Sequence, residues 1–165
     1  MIVYLVGMPG AGKSVVGEEL AGRLGVPFVD LDLAIEAAQG RSVPEIFEAE
    51  GENGFRALEA AALTKTSMQD PSVVACGGGV VLEPANRITL RNTGTAVFLD
   101  VPLEQLQARV RPAADRPLIR ERGDLERLLA DREPLYREFA AHVVDGSGTP
   151  GDVADAIVEE LRWSA

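Results

Sequence analysis

Cysteine and histidine each occur once, as Cys76 and His142. One thiol makes no internal disulfide and no multi-cysteine zinc site, and one imidazole leaves a two-histidine metal site without its second ligand. A disulfide-stapled secreted scaffold is thereby excluded. Lysine is scarce too: 14 of the 16 basic residues are arginine, and only Lys13 and Lys65 are lysine. No run approaches the roughly 18 consecutive apolar residues of a membrane span. Met1 to Val6 leads into Gly7 without the basic flank of a signal peptide. A cytoplasmic location with no membrane partner is expected. Basic charge is short overall, with 26 acidic residues against 16 basic and a net charge of −10, which disfavours a nucleic-acid partner. An anionic ligand therefore requires a local basic pocket. The stretch 109–137 holds eight arginines against six carboxylates, so positive charge is concentrated there.

What is present suits one globular domain: 165 residues, 46% apolar and 25% charged. Ile2 to Val6 is a short β-rich run ended by Gly7, and apolar residues at Val15, Val16, Leu20, Ala21 and Leu24 mark a helix from Lys13 that Gly25 terminates. A second strand is predicted over 26–30, followed by a helix carrying Leu33, Ile35 and Ala38. Ser42 and Glu45 form a capping-box pattern opening a short segment over 43–50. A longer helix through Phe55, Leu58, Ala62 and Leu63 precedes Pro71, and a buried-type strand over 73–76 ends in Gly77, Gly78 and Gly79. Helix 84–90, strand 95–99, helix 103–110, helix 125–139, strand 142–144 and a closing helix 153–161 complete the chain. Such alternation predicts a three-layer α/β fold with a parallel sheet, its ligands gathered at the carboxyl ends of the strands. Gly7, Asp30, Gly77 and Asp100 are expected to converge there. Cys76 and His142 sit in apolar strand contexts and read as core residues.

Gly7-Met8-Pro9-Gly10-Ala11-Gly12-Lys13-Ser14 matches G-x-x-x-x-G-K-[ST] between a strand and a helix. Glycine lets phosphate oxygens approach the backbone, and the amides of the turn and first helical turn point at the anion. Lys13 supplies a compact mobile charge for the β- and γ-phosphates, and Ser14 offers a hydroxyl to Mg²⁺. Asp30 and Asp32, two apart at the end of the second strand, send both carboxylates to one side of an extended backbone. One suits Mg²⁺ and the other an acceptor hydroxyl; the alternative is an N-cap beside a surface carboxylate. Three successive glycines after the third strand leave backbone amides open to a ligand. Arg56 and Arg132, alone two surface ion pairs, together make a carboxylate clamp. Arg116-Pro117-Leu118, in a Pro-, Ala- and Arg-containing stretch over 112–123, has the composition of a mobile lid.

This ordered set resembles the shikimate kinase family over essentially the whole chain. The matching pieces are the P-loop 7–14, Phe28 to Asp32 with Ile35-Glu36, Gly51-Glu52 with Phe55 to Glu59, Gly77 to Gly79, Arg116 to Leu118, and Arg132 to Tyr136. The resemblance implies a single domain over 1–165 with a five-stranded parallel sheet, an acceptor-binding segment at about 31–60 and a lid at about 112–123. It also implies ATP- and Mg²⁺-dependent phosphorylation of the shikimate 3-hydroxyl by a monomer. Lys13, Asp32 and Arg116 take catalytic roles, and Ser14 and Asp30 hold the metal. Gly10, Ala11, Gly12, Lys13, Ser14, Val15 and Arg116 bind nucleotide, with Arg109 and Pro150 flanking adenine. Asp32, Arg56, Glu59, Gly77, Gly78, Gly79 and Arg132 bind the acceptor, Glu59 by bracing Arg56. Val15 stands where a second hydroxyl is more usual, and Leu31 where Thr or Ser is. Two rivals stay open: another P-loop small-molecule kinase, acting on gluconate or a nucleoside monophosphate, and a nucleotide-binding switch without turnover, although no N-K-x-D element is present.

Overall fold

In the computed structural model of the chain, residues 1–110, 117–121 and 123–163 are described. Five parallel strands form one sheet: β1 (Ile2–Val6), β2 (Phe28–Asp30), β3 (Ser72–Ala75), β4 (Gly94–Asp100) and β5 (His142–Asp145), in the order β2-β3-β1-β4-β5. All five side chains of β1 are buried, as a strand covered on both faces requires. It pairs Ile2 with Ser72 of β3 on one side and with Gly94 of β4 on the other.

The helices are α1 (Lys13–Leu24), α2 (Leu31–Gln39), α3 (Val43–Thr66), α4 (Pro84–Thr93), α5 (Leu103–Arg109), α6 (Asp124–Phe139) and α7 (Pro150–Trp163). The step from β1 to β2 runs opposite to those from β2 to β3, β3 to β4 and β4 to β5. Right-handed crossovers therefore put α1 on one face and α3, α4 and α6 on the other. In agreement, α1 packs on α7 and α3 on α4. Because the chain leaves β1 and β3 toward opposite sides, a crevice opens at their carboxyl ends. A second, smaller core of Ile35, Ile46 and Phe55, with Val43, Phe47, Leu58 and Ala62 against it, lies between α2 and α3, apart from the main core under the sheet.

Differences from the sequence reading are local. The second strand spans 28–30 rather than 26–30, although the Pro27 carbonyl still accepts from the Val73 amide at 2.9 Å. The two expected segments 43–50 and 55 onward are the two helical halves of α3, which meet at a kink at Gly51, whose φ of 71° and ψ of −177° are non-helical torsions that no other residue adopts readily. The capping box is present: the Ser42 hydroxyl accepts from the Glu45 amide, and the Glu45 carboxylate from the Ser42 amide. Asp32 is not on an extended strand end but in the first turn of α2, and Asp30 is that helix's N-cap, accepting from the Leu33 amide at 3.2 Å. A 3₁₀ turn over Val80–Leu82 follows the glycines. Arg116 and half of the expected lid, 112–116 with Arg122, lie outside the described residues.

Candidate active site

Gly10 and Gly12 hold φ of 82° and 89°, conformations that side-chain-bearing residues rarely take. A Cβ on Gly10 would also lie 2.3 Å from the Val110 side chain. The loop closes through Ala11 N–H to Met8 O at 3.1 Å, and α1 begins with Val16 N–H to Gly12 O at 2.9 Å. With no acidic residue in the first turn of α1, its free amides and dipole face the crevice as an anion cradle. Lys13 folds back, its Nζ donating to Gly7 O at 2.9 Å and Met8 O at 2.8 Å. Arg109 reaches the same loop, donating to Gly10 O at 3.2 Å.

Beside the cradle lies a cleft of about 360 Å³, lined by Pro9, Gly10, Gly12, Lys13, Ser14, Val15, Asp30 and Asp32 on one side. Arg56, Glu59, Gly77, Gly78, Gly79 and Arg132 form the other. The Ser14 hydroxyl donates to Asp30 Oδ2 at 2.5 Å, so two hard oxygen donors meet at the rim. Among the described residues, no cluster of three or more His, Cys, Asp or Glu side chains is arranged to hold a metal. Two protein oxygens alone suit Mg²⁺, which keeps waters and takes further oxygens from substrate phosphates.

The glycine run is needed for space rather than torsion, since none of the three has positive φ. A Cβ at Gly77 would lie 2.7 Å from Glu59 Oε2 and 3.0 Å from Asp32 Oδ1; at Gly78, 3.1 Å from Arg132 Nη1; at Gly79, 2.2 Å from Arg56 Nη2. Four charged side chains thus pack against bare backbone. Arg56 and Arg132 are only 9% and 3% exposed, and Glu59 is fully buried. Glu59 Oε1 accepts from Arg56 Nη1 at 2.8 Å, which braces that guanidinium, and Glu52 accepts from Nη2 at 3.3 Å. Asp32 Oδ1, Glu59 Oε2 and Arg56 Nε are buried without a hydrogen-bond partner, a costly state that a polar ligand relieves.

Burial pushes the Lys13 ammonium down to about 8, against the opposing pull of Asp32. Burial first, and then the negative charge of Asp30, raises the Asp32 carboxyl above its ordinary value, and burial likewise raises Glu59. Burial also raises the Cys76 thiol, the opposite of what an activated nucleophile needs. Cys76 is a core residue, as expected, but also part of the cleft wall. The side chain of His142, at the start of β5, lies near Glu160 of α7.

Every described acceptor residue inferred from sequence lies in this one cleft, as do Gly10, Gly12, Lys13, Ser14, Val15 and Asp30. Ala11 is buried within the loop, and Pro150 opens α7; among the described residues, neither they nor Arg109 line the cleft. Sequence reading missed an apolar wall made by Val43, Phe47 and Phe55 of α3, with Leu118, Ile119 and Leu128. The i, i+4 spacing of Val43 and Phe47 was its available signal. Asp100, expected at the cleft, instead pairs with Arg137.

The family model described as shikimate kinase matches residues 9–162. The shikimate kinase of Halorhodospira halophila is 48% identical over 97% of this chain and 93% of its own length. That of Aromatoleum aromaticum is 46% identical over 98% and 95%. Among solved structures, shikimate kinase from Acinetobacter baumannii in complex with shikimate superposes with a TM-score of 0.95 at 38% identity, covering 99% of this chain and 93% of that one. A sugar kinase from Janibacter, at 19% identity and a TM-score of 0.65, shares the fold alone. A phosphate cradle opening beside two buried arginines, in a chain matched along nearly its whole length, leads to one assignment: the chain belongs to the shikimate kinase family.

Proposed function

We propose that the protein transfers the γ-phosphoryl group of ATP to the 3-hydroxyl of shikimate. The observation that carries this reading is the pair of buried guanidinium groups, Arg56 and Arg132, packed on Gly79 and Gly78 beside the cradle that holds Lys13. Two buried cations facing one cleft call for an anionic acceptor, and a carboxylate answers both. Asp32, with its unpartnered Oδ1, accepts the proton of the hydroxyl that attacks, and its raised affinity for a proton suits that task. Lys13 leaves its two carbonyls for the β- and γ-phosphate oxygens, where its charge offsets that of the loose transition state. Gly10, Ala11, Gly12, Ser14 and Val15 form the rest of the cradle, with Arg109 and Pro150 as adenine neighbours. Ser14 and Asp30 hold Mg²⁺, which neutralises phosphate charge when bound. Residues 31–60, which carry the smaller core, form the acceptor segment of a single domain.

Purified protein supplied with ATP and Mg²⁺ is expected to release ADP only when shikimate is added. Equal release with gluconate or a nucleoside monophosphate would overturn the acceptor assignment, and absence of nucleotide binding would overturn the reading entirely.

A further inference from the structure

Gly78 is where three parts of the site meet. A Cβ there would touch Pro9 of the phosphate loop at 3.0 Å and Arg132 Nη1 of α6 at 3.1 Å, and its carbonyl oxygen accepts a hydrogen bond from the Tyr136 hydroxyl. Tyr136 lies four residues beyond Arg132, on the same face of α6. Its side chain is fully buried, and its ring stacks on Phe98 of β4 with centroids 5.0 Å apart. The Arg132 guanidinium packs on the same residue, Gly78, whose carbonyl the hydroxyl holds. That hydroxyl gives its single proton to Gly78 O.

The peptide joining Gly78 to Gly79 is trans, and in a planar trans peptide the C=O and the following N–H point in opposite directions. Holding Gly78 O toward α6 therefore aims the Gly79 N–H away from it, on the residue packed against Arg56. We propose that Tyr136 is a positioning residue for the acceptor site: its hydroxyl fixes the orientation of the Gly78–Gly79 peptide, the surface on which Arg132 and Arg56 pack. This rests on the acceptor reading given above. The Tyr136 hydroxyl bonds no group of the nucleotide loop, so acceptor affinity depends on Tyr136 and nucleotide affinity does not.

Tyr136→Phe keeps the ring stack and removes only the hydroxyl. It is expected to raise the KM for shikimate about fivefold, as for loss of a neutral hydrogen bond, with the KM for ATP within about twofold. The melting temperature of the variant, measured alongside, shows that it is folded. A shikimate KM within about twofold of wild type, or a parallel rise in both KM values, would overturn the proposal. The ¹⁵N–¹H resonance of the Gly79 amide in the ligand-free protein supplies a readout free of any acceptor. It moves in Tyr136→Phe if the hydroxyl sets the peptide; a fixed resonance overturns the positioning role even if wild type proves inert toward shikimate, a result that would separately remove the acceptor assignment.

Discussion

Lys13 shows how one burial event tunes a ligand site. In the free protein its ammonium loses its proton near pH 8, because the cleft removes water from it. Phosphate requires the charged form, so binding above that pH must take up a proton, whereas below it the proton is already in place. ADP affinity is thus expected to stay level up to about pH 7 and to fall toward tenfold per pH unit above 8. Calorimetric titrations from pH 6.5 to 9.5 would check this, with Lys13→Arg, whose guanidinium keeps its proton throughout, giving a flatter profile. A level wild-type profile would show that Lys13 is not the titrating group. The identities of Lys13, Asp32, Arg56 and Arg132 were all legible in the chain. Their consequences were not, since the depressed ammonium and the unpartnered carboxylate oxygen arise from neighbours far away in sequence.

Helix α3 makes the corresponding point for an element. Its two halves both face the cleft, Val43 and Phe47 before Gly51 and Phe55, Arg56 and Glu59 after it. The kink is what allows this. Nothing lies within 4 Å of a Cβ built on Gly51, so Gly51→Ala tests the backbone alone. The strained torsion is expected to cost about 1–3 kcal/mol. In a protein of this size that lowers the melting temperature by at least about 2 °C and by up to about 12 °C. The KM for shikimate should rise with little change in that for ATP, because the misaligned half carries only acceptor-side residues. Thermal denaturation with steady-state kinetics decides it, and an unchanged melting temperature would show that α3 does not need the kink. Glycine marked the break in the sequence. That both halves face one cleft was invisible because they share a small core with α2 that local periodicity does not reveal.

At the level of the whole molecule, ligand binding and stability are linked, and the linkage separates the two subsites. A saturating ligand that binds only the folded state adds about 2.7 kcal/mol at one hundred times its Kd. ADP with Mg²⁺ and shikimate should therefore each raise the melting temperature of wild type by several degrees. Arg132→Ala should keep the shift from ADP and lose that from shikimate; loss of both would place Arg132 in general stability rather than the acceptor pocket. Such separability is consistent with a molecule of net charge −10 in which, among the described residues, Lys13, Arg56 and Arg132 line one crevice.

The order of strands and helices, the phosphate loop and the capping box at Ser42 were readable from the chain, because each depends on contacts within a few residues and on periodicities of about 2 and 3.6. Only the tertiary structure decided that β1 lies between β3 and β4, that Arg56 and Arg132 flank the same three glycines, and that the Tyr136 hydroxyl holds the Gly78 carbonyl. Those outcomes depend on which strands pair and which faces pack together. Such choices minimise exposed apolar surface over the entire chain, and no short window of sequence contains them.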